Sequence, residues 1–93
     1  MTTKKDIVKR IARRRELSQV DTKTVVQDML DMVVDVLVTE GRLELRDFGV
    51  FQVKDRAQRK ARNPKTGDEV IVPARKVVTF KPGKLLQDRI RAL

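Results

Sequence analysis

Cysteine and histidine are both missing from this chain, and that removes several kinds of chemistry at once. Disulfides, thiol nucleophiles, Cys/His zinc sites and histidine acid–base catalysis are excluded. Tryptophan and tyrosine are missing too, leaving Phe48, Phe51 and Phe80 as the only aromatic rings. A 93-residue chain so poor in aromatic side chains supports one domain with a thin core, which points to association with a second chain that completes the buried surface. No apolar run approaches the roughly eighteen residues of a membrane span, and no signal-peptide pattern opens the chain. The expectation is a soluble, cytoplasmic protein without a membrane partner. No metal site or cofactor is expected. Scattered carboxylates converge on no nucleophilic partner, so no enzyme is expected.

Acidic residues are scarce in one half only. Met1–Asp47 carries ten basic and nine acidic residues, net +1, whereas Phe48–Leu93 carries twelve and four, net +8; together these make the formal charge of +9. The excess in the second half calls for a polyanion bound there, nucleic acid foremost.

Local signals order the first half. Thr3-x-x-Asp6 has the form of a capping box, after which Ile7, Val8, Ile11 and Ala12 recur at helical spacing. Arg13-Arg14-Arg15 falls where this helix ends, and there positive charge complements the macrodipole. Ser18-x-x-Asp21 opens a longer helix. Its apolar positions Val26, Met29, Leu30, Val33, Val34, Val36 and Leu37 form a stripe wider than one partner requires. The stripe is expected to pack on the first helix and on a second subunit. Asp28, Asp31 and Asp35 occupy the remaining face and read as solvated carboxylates rather than metal ligands. Gly41 ends the helix.

Leu43–Arg46 alternates as a short strand, and Asp47-Phe48-Gly49 reads as a turn. Two long strand-like runs follow, Val50–Arg62 and Asp68–Phe80, around the tip Asn63-Pro64-Lys65-Thr66-Gly67. Thirteen residues at about 3.3 Å each would reach about 43 Å, whereas a compact chain of this length has a radius of gyration near 12 Å. The hairpin must therefore project. Continuous alternation would place Gln52, Lys54, Arg56, Gln58, Lys60 and Arg62 on one face, and Phe51, Val53, Asp55, Ala57, Arg59 and Ala61 on the other. Pro73 cannot donate a ladder hydrogen bond and belongs at an edge or bulge. Lys81–Lys84 breaks the second run, and Leu85, Leu86, Ile90 and Leu93 suit a short closing helix. The organisation is α+β over residues 1–93. Residues 1–47 are mainly helical, 48–84 form a three-stranded antiparallel sheet with a long protruding β-hairpin arm, and 85–93 form the C-terminal helix.

The tip joins turn formers to an exposed, rigid, apolar Pro64, ringed by Arg59, Lys60, Arg62 and Lys65. Taken alone, Pro64 is an ordinary turn proline. Apolar wedges flanked by cations, however, are how minor-groove proteins unstack a base step and kink the duplex. An RNA-binding or ribosome-associated role is the alternative reading of a basic hairpin. Against it, single-strand readers present stacking aromatics, and Gln52–Thr79 has none.

Arg56, Arg59, Lys60, Arg62-Asn63-Pro64-Lys65-Thr66-Gly67 and Phe80-Lys81-Pro82-Gly83-Lys84, with Phe48-Gly49 and Phe51, resemble the HU/integration host factor family of bacterial histone-like proteins. The resemblance covers essentially the whole chain. It implies an intertwined dimer, a homodimer or a heterodimer with a paralogue, whose arms curl around double-stranded DNA in the minor groove and bend it. It implies DNA contacts by Lys4, Lys54, Arg56, Arg59, Lys60, Arg62, Asn63, Pro64, Lys65, Arg75, Lys76, Lys81 and Lys84, with Pro64 intercalating. Phe48, Phe51, Phe80, Val33 and Leu37 would form the dimer core, and the protein would sit on the nucleoid. Val77–Phe80 resembles integration host factor subunits more than typical HU chains, and Ala61 stands where many HU members have glycine.

Overall fold

A computed structural model describes all 93 residues, which pack as two units, Met1–Val36 and Leu37–Leu93. The elements run α1 (Lys4–Arg15), α2 (Gln19–Glu40), β1 (Arg42–Leu45), β2 (Gly49–Arg56), β3 (Arg59–Arg62), β4 (Glu69–Val72), β5 (Arg75–Pro82) and α3 (Lys84–Arg91). The fold is α+β.

In the first unit, α1 starts as its residues dictate. The Asp6 N–H donates to Thr3 Oγ1, and the Asp6 carboxylate accepts from the Thr3 backbone at 3.0 Å, so both halves of the capping box form. These bonds hold the Asp6 carboxyl below its ordinary 3.8, the Thr3 backbone bond first and the Thr3 side chain second. Glu16 closes the helix in the left-handed region at φ 56°. Val8 and Ala12 are the buried apolar residues of α1. The Asp21 N–H donates to Ser18 Oγ at 3.0 Å, so Ser18 caps the start of α2. Over its length α2 buries only Thr22. Val20 is 75% exposed and Val38 78%, while Val33 and Leu37 are half-buried. A helix apolar over this much of its circumference has surface that a single chain does not cover.

The second unit is built on a three-stranded antiparallel sheet in the order β1-β2-β5. Leu43 pairs with Phe51, Phe51 with Phe80, and Val53 with Val78, so these side chains share one face. The Phe80 ring lies 4.7 Å from Phe51 and 5.4 Å from Phe48, both tilted. Such pairs contribute about 0.5–1.5 kcal/mol beyond their buried area. Gly49 is required beneath them, because a Cβ there would lie 2.5 Å from two carbons of the Phe80 ring. Even so, Phe48 remains 49% and Phe80 40% exposed.

The two long runs are not continuous strands. Each is interrupted, at residues 57–58 and at 73–74, and the distal part forms its own two-stranded sheet, β3-β4. Hydrogen-bond parity supplies the reason. Gly49 faces Pro82, which has no N–H, and the Gly83 N–H donates to the Phe48 carbonyl at 2.8 Å. In this part of the ladder the hydrogen-bonded pairs are therefore those of Val50, Gln52, Lys54 and Arg56. The next would be Gln58 with Pro73, and Pro73 cannot donate. Pairing resumes at Arg59 with Val72. At the far end the Asn63 N–H donates to the Asp68 carbonyl at 2.8 Å, so there Arg59 and Ala61 hold the hydrogen-bonded positions. The alternation has shifted by one on each strand.

Candidate nucleic-acid interface

For L-residues, chirality ties the hydrogen-bonded positions of an antiparallel ribbon to one face, so the shift at Pro73 exchanges the faces of the arm. Uninterrupted alternation grouped Lys60 and Arg62 with Lys54 and Arg56. Instead, Arg59 continues the face of Lys54, Arg56 and Arg75, while Lys60 and Arg62 lie on the opposite face with Ile71 and Glu69. A groove of about 430 Å3 agrees, since it is lined by Arg56, Arg59 and Arg75 together with Val72, Pro73 and Val77.

At the base of the arm, Arg56 faces Arg75 across the ladder and Lys54 faces Val77. Like charges directly opposite one another are destabilising, and no carboxylate shares their face in this stretch of β2 and β5. Arg42, opposite Gln52, extends the same basic face into β1. The sequence reading missed Arg42, although the alternation of Arg42 and Glu44 carried the signal. Lys76 stands apart on the other face, with its Nζ 2.8 Å from Asp55 Oδ1. Both side chains are mostly exposed, and such a pair is worth at most about 1 kcal/mol.

The tip is a tight reversal built by its own side chains. Gly67 adopts φ +75° and its N–H donates to the Asn63 carbonyl at 2.8 Å, a closure that a left-handed residue makes possible. Asn63 Oδ1 accepts from the Lys65 N–H at 2.9 Å, an Asx-type turn that braces the intervening proline. Pro64, Lys65 and Arg62 are exposed and Asn63 is half-buried.

Lys81 lies exposed on β5, and Lys84 is the first residue of α3. The α3 N-cap is Gly83, which has no side chain to satisfy the first N–H groups, and the first turn holds no acid. Its N-terminus is thus open to an anion. Lys4 belongs to the first unit, where its Nζ donates to Gln27 Oε1. No group of three or more His, Cys, Asp or Glu side chains is placed to hold a metal ion, and no helix is long and apolar enough to cross a membrane.

Known proteins share this architecture from end to end. The family model described as bacterial DNA-binding protein matches residues 2–91. DNA-binding protein HU 1 of Bacillus subtilis is 40% identical, over 94% of this chain and 95% of its own length. The integration host factor alpha subunit of Haemophilus influenzae is 44% identical, over 95% and 92% respectively. Among solved structures, an HU–DNA cocrystal structure from Anabaena superposes with a TM-score of 0.85 at 26% identity, covering 96% of this chain and 97% of that one.

Proposed function

This chain belongs to the HU/integration host factor family of bacterial DNA-binding proteins, and from that premise we propose that it is an architectural protein that bends duplex DNA as a homodimer. The observation that carries the mechanism is the arm, two short ribbons joined at Pro73 with cations on both faces. A ribbon lying in a groove is flanked by a phosphodiester strand on either side. Arg56, Arg59 and Arg75 would serve one strand, and Lys60 and Arg62 the other. Lys4, Lys54, Lys65, Lys76, Lys81 and Lys84 would add phosphate contacts, while Asn63 holds the tip in shape.

Pro64 is the wedge. Braced by the Asx turn, it would enter a base step at a cost of a few kcal/mol, offset by the greater contact that bent DNA makes. Counterion release supplies the affinity, so binding weakens steeply with salt. Minor-groove edges carry a degenerate code, and discrimination therefore comes from deformability, with kinked or nicked sites preferred. The exposed apolar surface of α2, Phe48 and Phe80 supports dimerisation through a second copy of the same chain. Such a protein works on chromosomal DNA in the cytoplasm.

The test is Pro64→Ala beside Arg62→Ala, with energy transfer reporting the bend and anisotropy reporting affinity. Pro64→Ala should reduce the bend more than the affinity, and Arg62→Ala should weaken binding and flatten the salt dependence. Equal bending by Pro64→Ala would remove the wedge. A preference for duplex RNA or single strands over duplex DNA in competition would overturn the DNA reading. Sedimentation of the free protein as a monomer would overturn the homodimer and send the search to a paralogous partner.

A further inference from the structure

Helix α1 carries more positive charge than its place in the fold requires. Lys4–Arg15 contains seven cations and a single acid, Asp6. That acid is engaged by the capping box and offers Lys9 and Arg10 only a weak attraction. Val8 and Ala12 mark the buried side of the helix, with Ile11 half-buried beside them. At 100° per residue, Lys9, Arg10, Arg13 and Arg14 share an arc of about 140° opposite that side, whereas Lys5 lies beside Ala12, and all five are exposed. None of the five makes a side-chain hydrogen bond or ion pair.

Such a face is unfavourable for the helix by itself. Lys5 and Lys9, Lys9 and Arg13, and Arg10 and Arg14 are like charges four residues apart, an arrangement that destabilises an isolated helix. Arg13 and Arg14 complement the macrodipole in the last turn, but Lys5 and Lys9 lie in the first half, where they oppose it. Lys5 and Lys9 also rim a groove that Lys23 closes from α2, so the positive surface continues onto the second helix.

We propose that the exposed face of α1 formed by Lys9, Arg10, Arg13 and Arg14 is a second phosphate-backbone surface through which the protein joins one DNA duplex to another. The inference rests on the DNA-bending reading above. Four residues of helix rise about 6 Å, which sets successive cations of this face within reach of successive phosphates. The face offers long flexible cations that no neighbouring side chain holds in a fixed orientation, so it binds duplex backbone by charge and without regard to sequence. A lipid surface fits less well, because the buried side of α1, Val8 and Ala12, is spent on packing within the first unit and has nothing to insert. The arm lies in the other unit, so its contacts and those of α1 come from separate parts of the chain. A dimer carries two such faces.

A bridging assay tests this. One duplex is tethered to beads, a second labelled duplex is free, and the full-length protein is added at low salt. Wild type should retain the labelled duplex. The variant Lys9→Gln/Arg10→Gln/Arg13→Gln/Arg14→Gln should retain about tenfold less, with the bend measured by energy transfer on a single duplex unchanged. Thermal unfolding verifies that the variant is folded; if it is not, Arg10→Gln/Arg14→Gln gives the same comparison with a smaller drop. Wild type that bends DNA yet captures no second duplex overturns this inference and leaves the bending role standing. Full capture by the folded variant overturns it as well. So does loss of bending in step with capture, which would place α1 in the first site. Preferential binding of wild type to phosphatidylglycerol vesicles over duplex DNA, abolished in the variant, would assign the face to membranes instead.

Discussion

Arg56 and Arg75 stand directly opposite one another on β2 and β5, two like charges at the last paired position before the ladder lapses. With Arg59 they line one groove. Like charges set so close repel until an anion lies among them, so in the proposed role this part of the arm would gain in binding what it costs the free protein.

Arg75→Gln therefore has opposite effects on stability and on binding. It should stabilise the free protein by about 0.2–1 kcal/mol at low salt, the scale of a cross-strand pair. It should also reduce the slope of log affinity against log salt by about 0.9 for each phosphate that the variant no longer neutralises. Thermal melts at two salt concentrations, with anisotropy titrations on one duplex, measure both. A variant less stable at low salt would show that the repulsion is relieved elsewhere.

Pro73→Val restores the missing donor opposite Gln58. The ladder should then run through the interruption, and a slowly exchanging amide should appear at position 73 in hydrogen-exchange spectra. Continuous pairing would return Lys60 and Arg62 to the face of Arg56, so the cations of the arm would be redistributed and the affinity for duplex DNA should fall. A stiffened arm that binds as well as wild type would show that the exchange of faces has no role.

Gly49→Ala is expected to destabilise the fold by about 1–3 kcal/mol, the usual scale of overpacking. The new methyl would lie 2.5 Å from the Phe80 ring and 2.6 Å from the Lys81 carbonyl. Denaturant melts at fixed protein concentration provide the measurement. Because Phe80 must move to make room, Gly49→Ala/Phe80→Leu should recover part of the stability.

The Asp6 capping box gives a pH dependence of definite sign. The folded carboxyl ionises below 3.8, its ordinary value, so its contribution is present above that pH and fades as pH falls through the folded value. Asp6→Ala should lower the melting temperature at neutral pH, and the difference from wild type should vanish in strong acid. A difference that persisted there would point to helix propensity rather than the cap.

Legibility in the sequence followed the range of the interaction. Thr3 with Asp6, and Ser18 with Asp21, are local pairs, and both helix starts lie where these residues place them. The projecting hairpin was legible from length and charge, and the phenylalanine face from period-two alternation near Phe51. The interruption was harder to see, because beyond Asp55 one side of Val50–Arg62 is polar and the other mixes Arg59 with the small Ala57 and Ala61, so the alternation carries little contrast there. The information lay in two prolines of the opposite strand. Pro82 fixes which positions of β5 go without a donor, and Pro73, nine residues earlier, has the other parity. Their spacing requires a shift somewhere between them, and Arg59, Lys60 and Arg62 change faces as a result. The convergence of Arg56, Arg59 and Arg75 follows from that shift and from no local motif.

Val8 and Ala12 are the only apolar side chains of the isolated chain that are buried, while Phe80 and Val38 lie open. If a second copy of the chain completes that interior, as proposed, the molecule has no melting temperature independent of concentration. Dilution should unfold it as heat does. Newly made chains would then stay open to proteolysis until they meet a partner, and the amount of protein in the cell would help to set its own lifetime.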